Sequence, residues 1–177
     1  MKPIELRPYQ LNAIERLRDG IRAGHKNQIL CAPTGSGKTL IGASLIQECR
    51  NKGRRAVFVC DRINLIDQTS LRFDEYAIDH GVIQANHWRT RLYEPVQIAS
   101  AQTLARRQWP NADLIIIDEC HTISETVKKR ISERNTNVVG LTATPFTKGL
   151  GKLYDNLVNV TSTQALIDEG FLSGYRI

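Results

Sequence analysis

The chain has 177 residues, of which 41% are hydrophobic and 24% charged, and this ordinary balance excludes disordered, collagen-like and disulfide-scaffold proteins. No apolar stretch approaches the roughly 20 residues of a membrane-spanning helix, and the first residues lack the apolar core of a secretory signal. The formal net charge of +6 at pH 7 favours a polyanionic partner such as nucleic acid but does not establish one.

Short β-branched runs alternate with amphipathic stretches, which predicts an α/β domain. Because the predicted strands are apolar on both faces, we expect a mainly parallel sheet covered by helices on both sides. The carboxyl ends of parallel strands meet at one edge, where ligands bind. The predicted helices are 9–22, 38–50, 64–76, a short helix from Gln102, 124–132 and 163–168, and the predicted strands are 28–32, 56–60, 82–83, 96–100, 114–117, 138–141 and a weaker 157–160.

A glycine-rich loop follows the first predicted strand and matches the pattern GxxxxGK[ST], with Ala32 in place of the first glycine. The glycines allow the backbone N–H groups to curl around one anion, and Lys38 would reach the β- and γ-phosphates of a nucleotide. The Thr39 hydroxyl is a candidate ligand for Mg²⁺. The predicted nucleotide-binding residues of this loop are Pro33, Thr34, Gly35, Ser36, Gly37, Lys38 and Thr39.

Two adjacent carboxylates follow the apolar run 114–117, in the sequence Asp118-Glu119-Cys120-His121. We expect Asp118 to hold Mg²⁺ and Glu119 to orient and deprotonate the attacking water. With Lys38 they form the predicted catalytic set.

The phosphate loop and the DECH tetrad together resemble the first RecA-like domain of a superfamily 2 helicase, whose acidic motif is the DEAD/DEAH box. The likeness runs from Leu6 to about Ile177 and is strongest to the branch of type III restriction subunits and XPB-, UvsW- and RecG-like translocases. It implies a three-layer RecA-like P-loop NTPase fold, with residues 1–177 as the helicase ATP-binding domain. ATP and Mg²⁺ are the implied cofactors.

Two further motifs extend the resemblance. Residues 6–10 resemble the Q motif, so the Gln10 amide would pair with the N6 and N7 edge of adenine and Arg7 would lie against the base or ribose. Residues 140–145 resemble motif III, in which Thr142 and Thr144 act with His121 to couple hydrolysis to the second domain.

The nucleic-acid side is predicted from two segments that also match family motifs. Residues 57–62 resemble motif Ia and place Arg62 just past a strand, and residues 98–104 resemble the next motif, where Gln102 and Thr103 would donate to phosphates. Phosphate contacts carry no base code, so we expect sequence-independent, salt-sensitive binding. An aromatic residue in a predicted loop, Trp88, either stacks on a nucleotide or caps the core edge.

The resemblance also implies a partner domain. In this superfamily the arginine finger comes from a second RecA-like domain across the ATP cleft. That domain is expected to be missing here, since residues 170–177 resemble the segment before the interdomain linker. We therefore expect the chain to be a fragment that binds ATP weakly and hydrolyses it slowly alone.

The favoured function is an ATP-dependent DNA helicase or translocase in the cytoplasm of a bacterium or a phage-infected cell, without a membrane partner. Four cysteines without CxxC spacing are typical of reduced thiols in that compartment. Three alternatives stay open: an RNA helicase, the motor subunit of a restriction enzyme, and a nucleotide-gated nucleic-acid-binding module without turnover.

Overall fold

A computed structural model of the chain describes residues 3–168 and 170. Its centre is a seven-stranded sheet in the order β3-β4-β2-β5-β6-β1-β7, and all six neighbouring pairs run parallel. This confirms the predicted α/β architecture. The strands are β1 (Asn27–Cys31), β2 (Ala56–Cys60), β3 (Gly81–Ile83), β4 (Val96–Ser100), β5 (Leu114–Ile117), β6 (Asn137–Thr142) and β7 (Asn156–Asn159).

Helices cover both faces of the sheet and make three layers. The first helix begins with Pro8, whose missing N–H costs nothing in a first turn. The helices are α1 (Pro8–Arg22), α2 (Lys38–Asn51), α3 (Asn64–Glu75), α4 (Ala101–Leu104), α5 (Glu125–Ser132) and α6 (Thr163–Asp168), with a 3₁₀ turn at Leu150–Lys152.

The core divides into two clusters, one on each face of the sheet. On the first face, α1, α2 and α3 pack on the strands, and the rings of Phe58 and Phe73 meet edge to face at 5.7 Å. On the second face, α4 and α5 bury Leu104, Val127 and Ile131 against the same strands. Each fully buried side chain of this size contributes roughly 1.5–3 kcal/mol.

Differences from the predicted elements lie mostly at their ends. Strand β1 ends at Cys31, yet Ala32 still donates its N–H to the Thr142 carbonyl at 3.0 Å, which extends the pairing toward the loop. The turn at Leu150–Lys152 was not predicted. The four cysteines are free thiols, as expected.

Within the described residues, no helix has the length and apolar character needed to cross a membrane. The segment 171–177, for which the sequence predicts an interdomain boundary, lies outside those residues.

Candidate functional site

The glycine-rich loop curls between β1 and α2 as its sequence predicts. Gly35 and Gly37 both have φ of 84°, a left-handed conformation that glycine adopts without steric cost. The Ser36 hydroxyl donates to the Pro33 carbonyl at 2.6 Å and closes the turn. A Cβ at Gly37 would meet the Gln10 amide nitrogen, so a residue other than glycine there would also require the Gln10 side chain to shift.

Lys38 and Glu119 meet although they follow different strands. The ammonium is buried, donates to the Ala32 carbonyl at 3.3 Å and lies 3.9 Å from Glu119 Oε1. Strands β1 and β5 are separated only by β6, which is why their carboxyl ends bring the two side chains together. The phosphate loop and the acidic motif therefore share one site.

The backbone of the acidic motif is strained. Glu119 has φ of 47°, unusual for a residue with a side chain, and such a conformation costs of order 1–3 kcal/mol. Thr122 holds it, because its N–H and its hydroxyl both donate to the Glu119 carbonyl, at 2.9 and 2.8 Å. Burial, and then the charge of Glu119, raise the pKa of Asp118. A cation at this carboxylate would offset both effects.

The site opens into a cavity of about 510 Å³ between the loop, α2 and α3. Arg72, from α3, lies in it and its charge acts to lower the pKa of Asp118. Sequence reasoning missed this arginine, since nothing in its local pattern distinguishes it from other surface arginines. The lining residues are Thr34, Gly35, Gly37, Lys38, Thr39, Leu40, Ala43, Arg72, Phe73, Glu75, Tyr76, Asp118 and Glu119.

The side chains at this cavity fit Mg²⁺ better than they fit a metal ion whose ligands all come from the protein. Thr39 and Asp118 both line it and supply one hydroxyl and one carboxylate. In the part of the chain that the structure describes, no group of three or more His, Cys, Asp or Glu side chains is placed to hold a metal. Mg²⁺ is commonly bound by one or two carboxylates together with substrate phosphates and water, so the residues fit this ion.

The first turn of α1 braces the phosphate loop. Gln10 is buried; its Oε1 accepts from the Arg7 N–H at 2.9 Å, and its Nε2 donates to the Ser36 carbonyl at 2.8 Å. The Tyr9 hydroxyl donates to the same carbonyl at 3.1 Å. An amide has two N–H groups and two oxygen lone pairs. Gln10 is 2% exposed and both ends of its amide are bonded within the protein, so adenine pairing by Gln10 and base contact by Arg7 stay predictions.

The structure brings the three predicted coupling residues together. His121 Nδ1 lies 2.8 Å from the Thr142 hydroxyl and 3.4 Å from Glu119 Oε2. The Thr142 hydroxyl also accepts the Thr144 N–H at 3.0 Å. A continuous chain of polar contacts thus runs from the acidic motif to the loop after β6.

The predicted nucleic-acid residues lie at the ends of two neighbouring strands. Cys60 at the end of β2 pairs with Ser100 at the end of β4, so Arg62 and the first turn of α4 emerge at the same edge. Arg62 and Gln102 are exposed, and Thr103 is half-buried. This placement leaves them open to a ligand.

Trp88 is 78% exposed, so it does not cap the core. The basic side chains beside it are already engaged: His87 Nε2 lies 3.0 Å from Asp67, and Arg89 donates to Asp74 at 2.7 Å. Stacking of Trp88 on a nucleotide stays open.

Comparisons with known proteins point to one family. The sequence model described as "Type III restriction enzyme, res subunit" matches residues 3–147. The "Type I restriction enzyme EcoAI endonuclease subunit" of Escherichia coli is 29% identical over 191 residues, covering 97% of this chain and 24% of the relative. The "Putative ATP-dependent helicase IRC3" of Saccharomyces cerevisiae is also 29% identical, and the match covers 94% of this chain and 28% of the relative. The chain thus spans about a quarter of the length of these relatives.

Solved structures share the fold at lower identity. The UvsW helicase from bacteriophage T4 superposes with a TM-score of 0.71 at 18% identity, over 88% of this chain and 60% of that one. A nuclease-deletion mutant of the Type ISP restriction-modification enzyme LlaGI, in complex with a DNA substrate mimic, superposes with a TM-score of 0.75 at 16% identity. The match covers 94% of this chain and 21% of that one. At this identity the likenesses show the fold alone, which this chain shares with both proteins.

Proposed function

Because the chain belongs to the family of the type III restriction enzyme res subunit, we propose that it is the ATP-hydrolysing motor domain of a DNA helicase or translocase. In this proposal residues 1–177 bind ATP with Mg²⁺ and grip the DNA backbone. A second RecA-like domain of the same polypeptide supplies the arginine finger. The observation that carries the proposal is the 3.9 Å approach of Lys38 Nζ to Glu119 Oε1 inside one open cavity.

The loop binds the triphosphate. Its N–H groups and the N-terminal end of α2 face the anion, and the Lys38 ammonium exchanges the Ala32 carbonyl for phosphate oxygens. Once the Lys38 ammonium binds phosphate, it no longer neutralises the carboxylate of Glu119. Glu119 is left to accept a proton from water.

Hydrolysis needs a water aligned with the terminal phosphate. Mg²⁺, when bound, neutralises the charge that develops on the phosphate oxygens. Glu119 orients the water and takes its proton as the water oxygen bonds to the terminal phosphorus and the bond to the bridging oxygen breaks, releasing ADP and phosphate. General-base catalysis of this kind is worth roughly 10²–10⁴ in rate. His121 lies 3.4 Å from Glu119 Oε2, so a change in the charge of Glu119 alters the contact with His121. The hydrogen bonds of His121 to Thr142, and of Thr142 to Thr144, then carry this change to the loop after β6.

The grip on DNA is assigned to Arg62, Gln102 and Thr103. Their place at adjacent strand ends allows them to follow one run of phosphates, which gives sequence-independent, salt-sensitive binding. Closing and opening of the two domains around ATP would move the motor along the strand.

A more specific function is the motor subunit of a restriction enzyme, and the EcoAI relative over 97% of this chain favours it. RNA as the track is the other enzymatic alternative. A binding module without turnover is disfavoured because Glu119 is present and lies beside Lys38.

Binding of a fluorescent ATP analogue with Mg²⁺ tests the site in this chain. Lys38→Ala should weaken binding at least about tenfold, since a charge-assisted phosphate contact is lost. Glu119→Gln should keep binding and abolish slow turnover. Glu125→Gln is the matched control, because Glu125 is exposed on α5 and pairs with Lys128 away from the cavity. Equal binding by the wild type and Lys38→Ala would refute the proposed site.

A further inference from the structure

The second face of the domain carries a group of arginines, here called the arginine face, that the motor chemistry does not use. They come from three separate parts of the sequence: the start of β2, the loop after α4, and the end of α5. The arginine face comprises Arg55, Arg106, Arg107, Arg130 and Arg134.

Backbone carbonyls, rather than carboxylates, orient the half-buried part of this face. Arg130 Nη1 donates to the carbonyls of Leu104 and Arg107, at 2.9 and 2.6 Å, and Arg134 Nη1 donates to the Pro110 carbonyl at 3.3 Å. A carbonyl fixes a guanidinium in place but leaves its full positive charge. The positive charges of these arginines are therefore not neutralised by hydrogen-bonded carboxylates.

The Arg55 guanidinium is also bonded to a backbone carbonyl rather than to a carboxylate, since its Nη2 donates to the Glu94 carbonyl at 3.3 Å. The nearby carboxylate of Asp113 accepts the Arg55 backbone N–H and not the guanidinium. On the opposite face the pattern is reversed: Arg18 donates to both carboxylate oxygens of Glu48, at 2.8 and 2.7 Å. Within the described residues, no member of the arginine face has a carboxylate at ion-pair distance.

A cavity of about 720 Å³ opens between two of these arginines, Arg55 and Arg107. Its floor includes Ile83 and the buried Trp109, whose indole N–H donates to a backbone carbonyl at 2.9 Å. Arg134 covers the same indole, with its guanidinium carbon 5.2 Å from the ring centroid. The indole in the floor is thus held by a hydrogen bond and by Arg134, and the rim is positively charged.

Mutual repulsion within the face favours an anionic ligand. Burial, and then the charge of Arg130, lower the pKa of Arg134. A polyanion lying on the surface would relieve this repulsion, and guanidinium groups bind phosphate in bidentate fashion.

The arginine face begins where the proposed DNA track ends. Arg106 and Arg107 both donate their N–H groups to the Thr103 carbonyl, at 3.1 and 3.0 Å, so they are one turn beyond Gln102 and Thr103. We propose that the arginine face binds the phosphates of duplex DNA as a second contact, away from the strand ends. This inference rests on the proposed function, because the same DNA is the track of the motor.

Duplex DNA suits the surface better than one strand confined to the sheet edge. A duplex carries one charge per roughly 1.7 Å of axis, and its two backbones present phosphates to more than one side of a bound domain. The contacts would be sequence-independent and would add to the salt dependence set by Arg62, Gln102 and Thr103.

The test is binding of a labelled mixed-sequence duplex to the chain without nucleotide, measured by fluorescence anisotropy at increasing NaCl. The double variant Arg106→Gln/Arg107→Gln should weaken binding about tenfold and reduce the slope of log K against log[salt] by about two. The variant Arg106→Lys/Arg107→Lys should keep the slope. Both side chains are exposed, so thermal unfolding should be unchanged.

The charge-matched control is Arg22→Gln/Lys52→Gln, which removes two exposed positive charges on the opposite face and should leave the slope within the error of the wild type. A separate Arg62→Gln variant reports on the strand-end track. If Arg62→Gln lowers the slope and Arg106→Gln/Arg107→Gln does not, the inference is wrong and the proposed function stands; the face would then serve another anion, such as an acidic protein segment. If the wild type binds no duplex, the inference is wrong, and the proposed function is then decided by the ATP-analogue binding test of Lys38→Ala.

Discussion

Replacing Gln10 by alanine should destabilise the domain through the phosphate loop. In the native state the amide joins the start of α1 to the loop, with Oε1 bonded to the Arg7 N–H and Nε2 to the Ser36 carbonyl. Alanine removes both contacts and leaves a small void, since Gln10 is 2% exposed.

The expected loss in the free energy of unfolding is about 2–3 kcal/mol. Each of the two hydrogen bonds contributes about 0.5–1.5 kcal/mol, and the void left by the buried side chain adds to their loss. The exposed Arg7 N–H can bond to water instead, and the buried Ser36 carbonyl keeps the Tyr9 hydroxyl at 3.1 Å. For a domain of this size, that loss lowers the melting temperature by about 4–12 °C.

Urea denaturation of the wild type and Gln10→Ala measures this loss as a shift of the midpoint at constant slope. Gln164→Ala is the matched control: that glutamine is exposed on α6 and donates to the exposed Asp168, so its loss should stay within about 0.5 kcal/mol. A loss no larger for Gln10→Ala than for the control would refute the bracing role. Binding of ATP against GTP by the same variant then reports whether the amide also reads adenine.

Two further predictions concern stability. Burial lowers the pKa of His80, so the unfolded chain takes up a proton below about pH 6.5 while the native state stays neutral. Native stability is therefore full above pH 6.5 and falls as the pH drops through the native pKa, by up to about 1.4 kcal/mol per pH unit, and His80→Asn should flatten that dependence in urea melts. An unchanged pH profile in the variant would contradict this. Gly140→Ala should cost about 1–3 kcal/mol in a thermal melt, because its Cβ would lie 2.7 Å from both Cys120 Sγ and the Tyr154 hydroxyl. Gly151→Ala, with open space at its Cβ, should cost far less, and equal losses would show that packing at Gly140 is not tight.

The fold was largely predictable because its strands are apolar on both faces and short. Strands form with the predicted bounds at Ala56–Cys60, Val96–Ser100 and Leu114–Ile117, and a charged residue or a proline precedes each run. The turn at Leu150–Lys152 was missed because three residues are too few to show periodicity. The strand order also lay beyond local sequence, since it depends on which helix crosses over which strand.

At the site, the motif types and their shared edge were predictable, whereas side-chain partners were not. The contact between Gln10 and Ser36 depends on how α1 docks against the loop. The positive φ of Glu119 reflects the path of the chain after β5, which no local pattern encodes. Arg72 lies in the cavity because Phe73 beside it is anchored in the core, and this fixes the rotation of α3.

The most direct measurement of the motor function is the ATPase rate of the natural polypeptide that carries this domain, with and without DNA, beside its Glu119→Gln variant. We expect strong stimulation by DNA in the wild type and a fall of roughly 10²–10⁴ in the variant, because the general base is lost. Glu125→Gln should behave as the wild type. A rate that does not respond to DNA would contradict DNA as the track, and an unchanged rate in Glu119→Gln would contradict hydrolysis at this site.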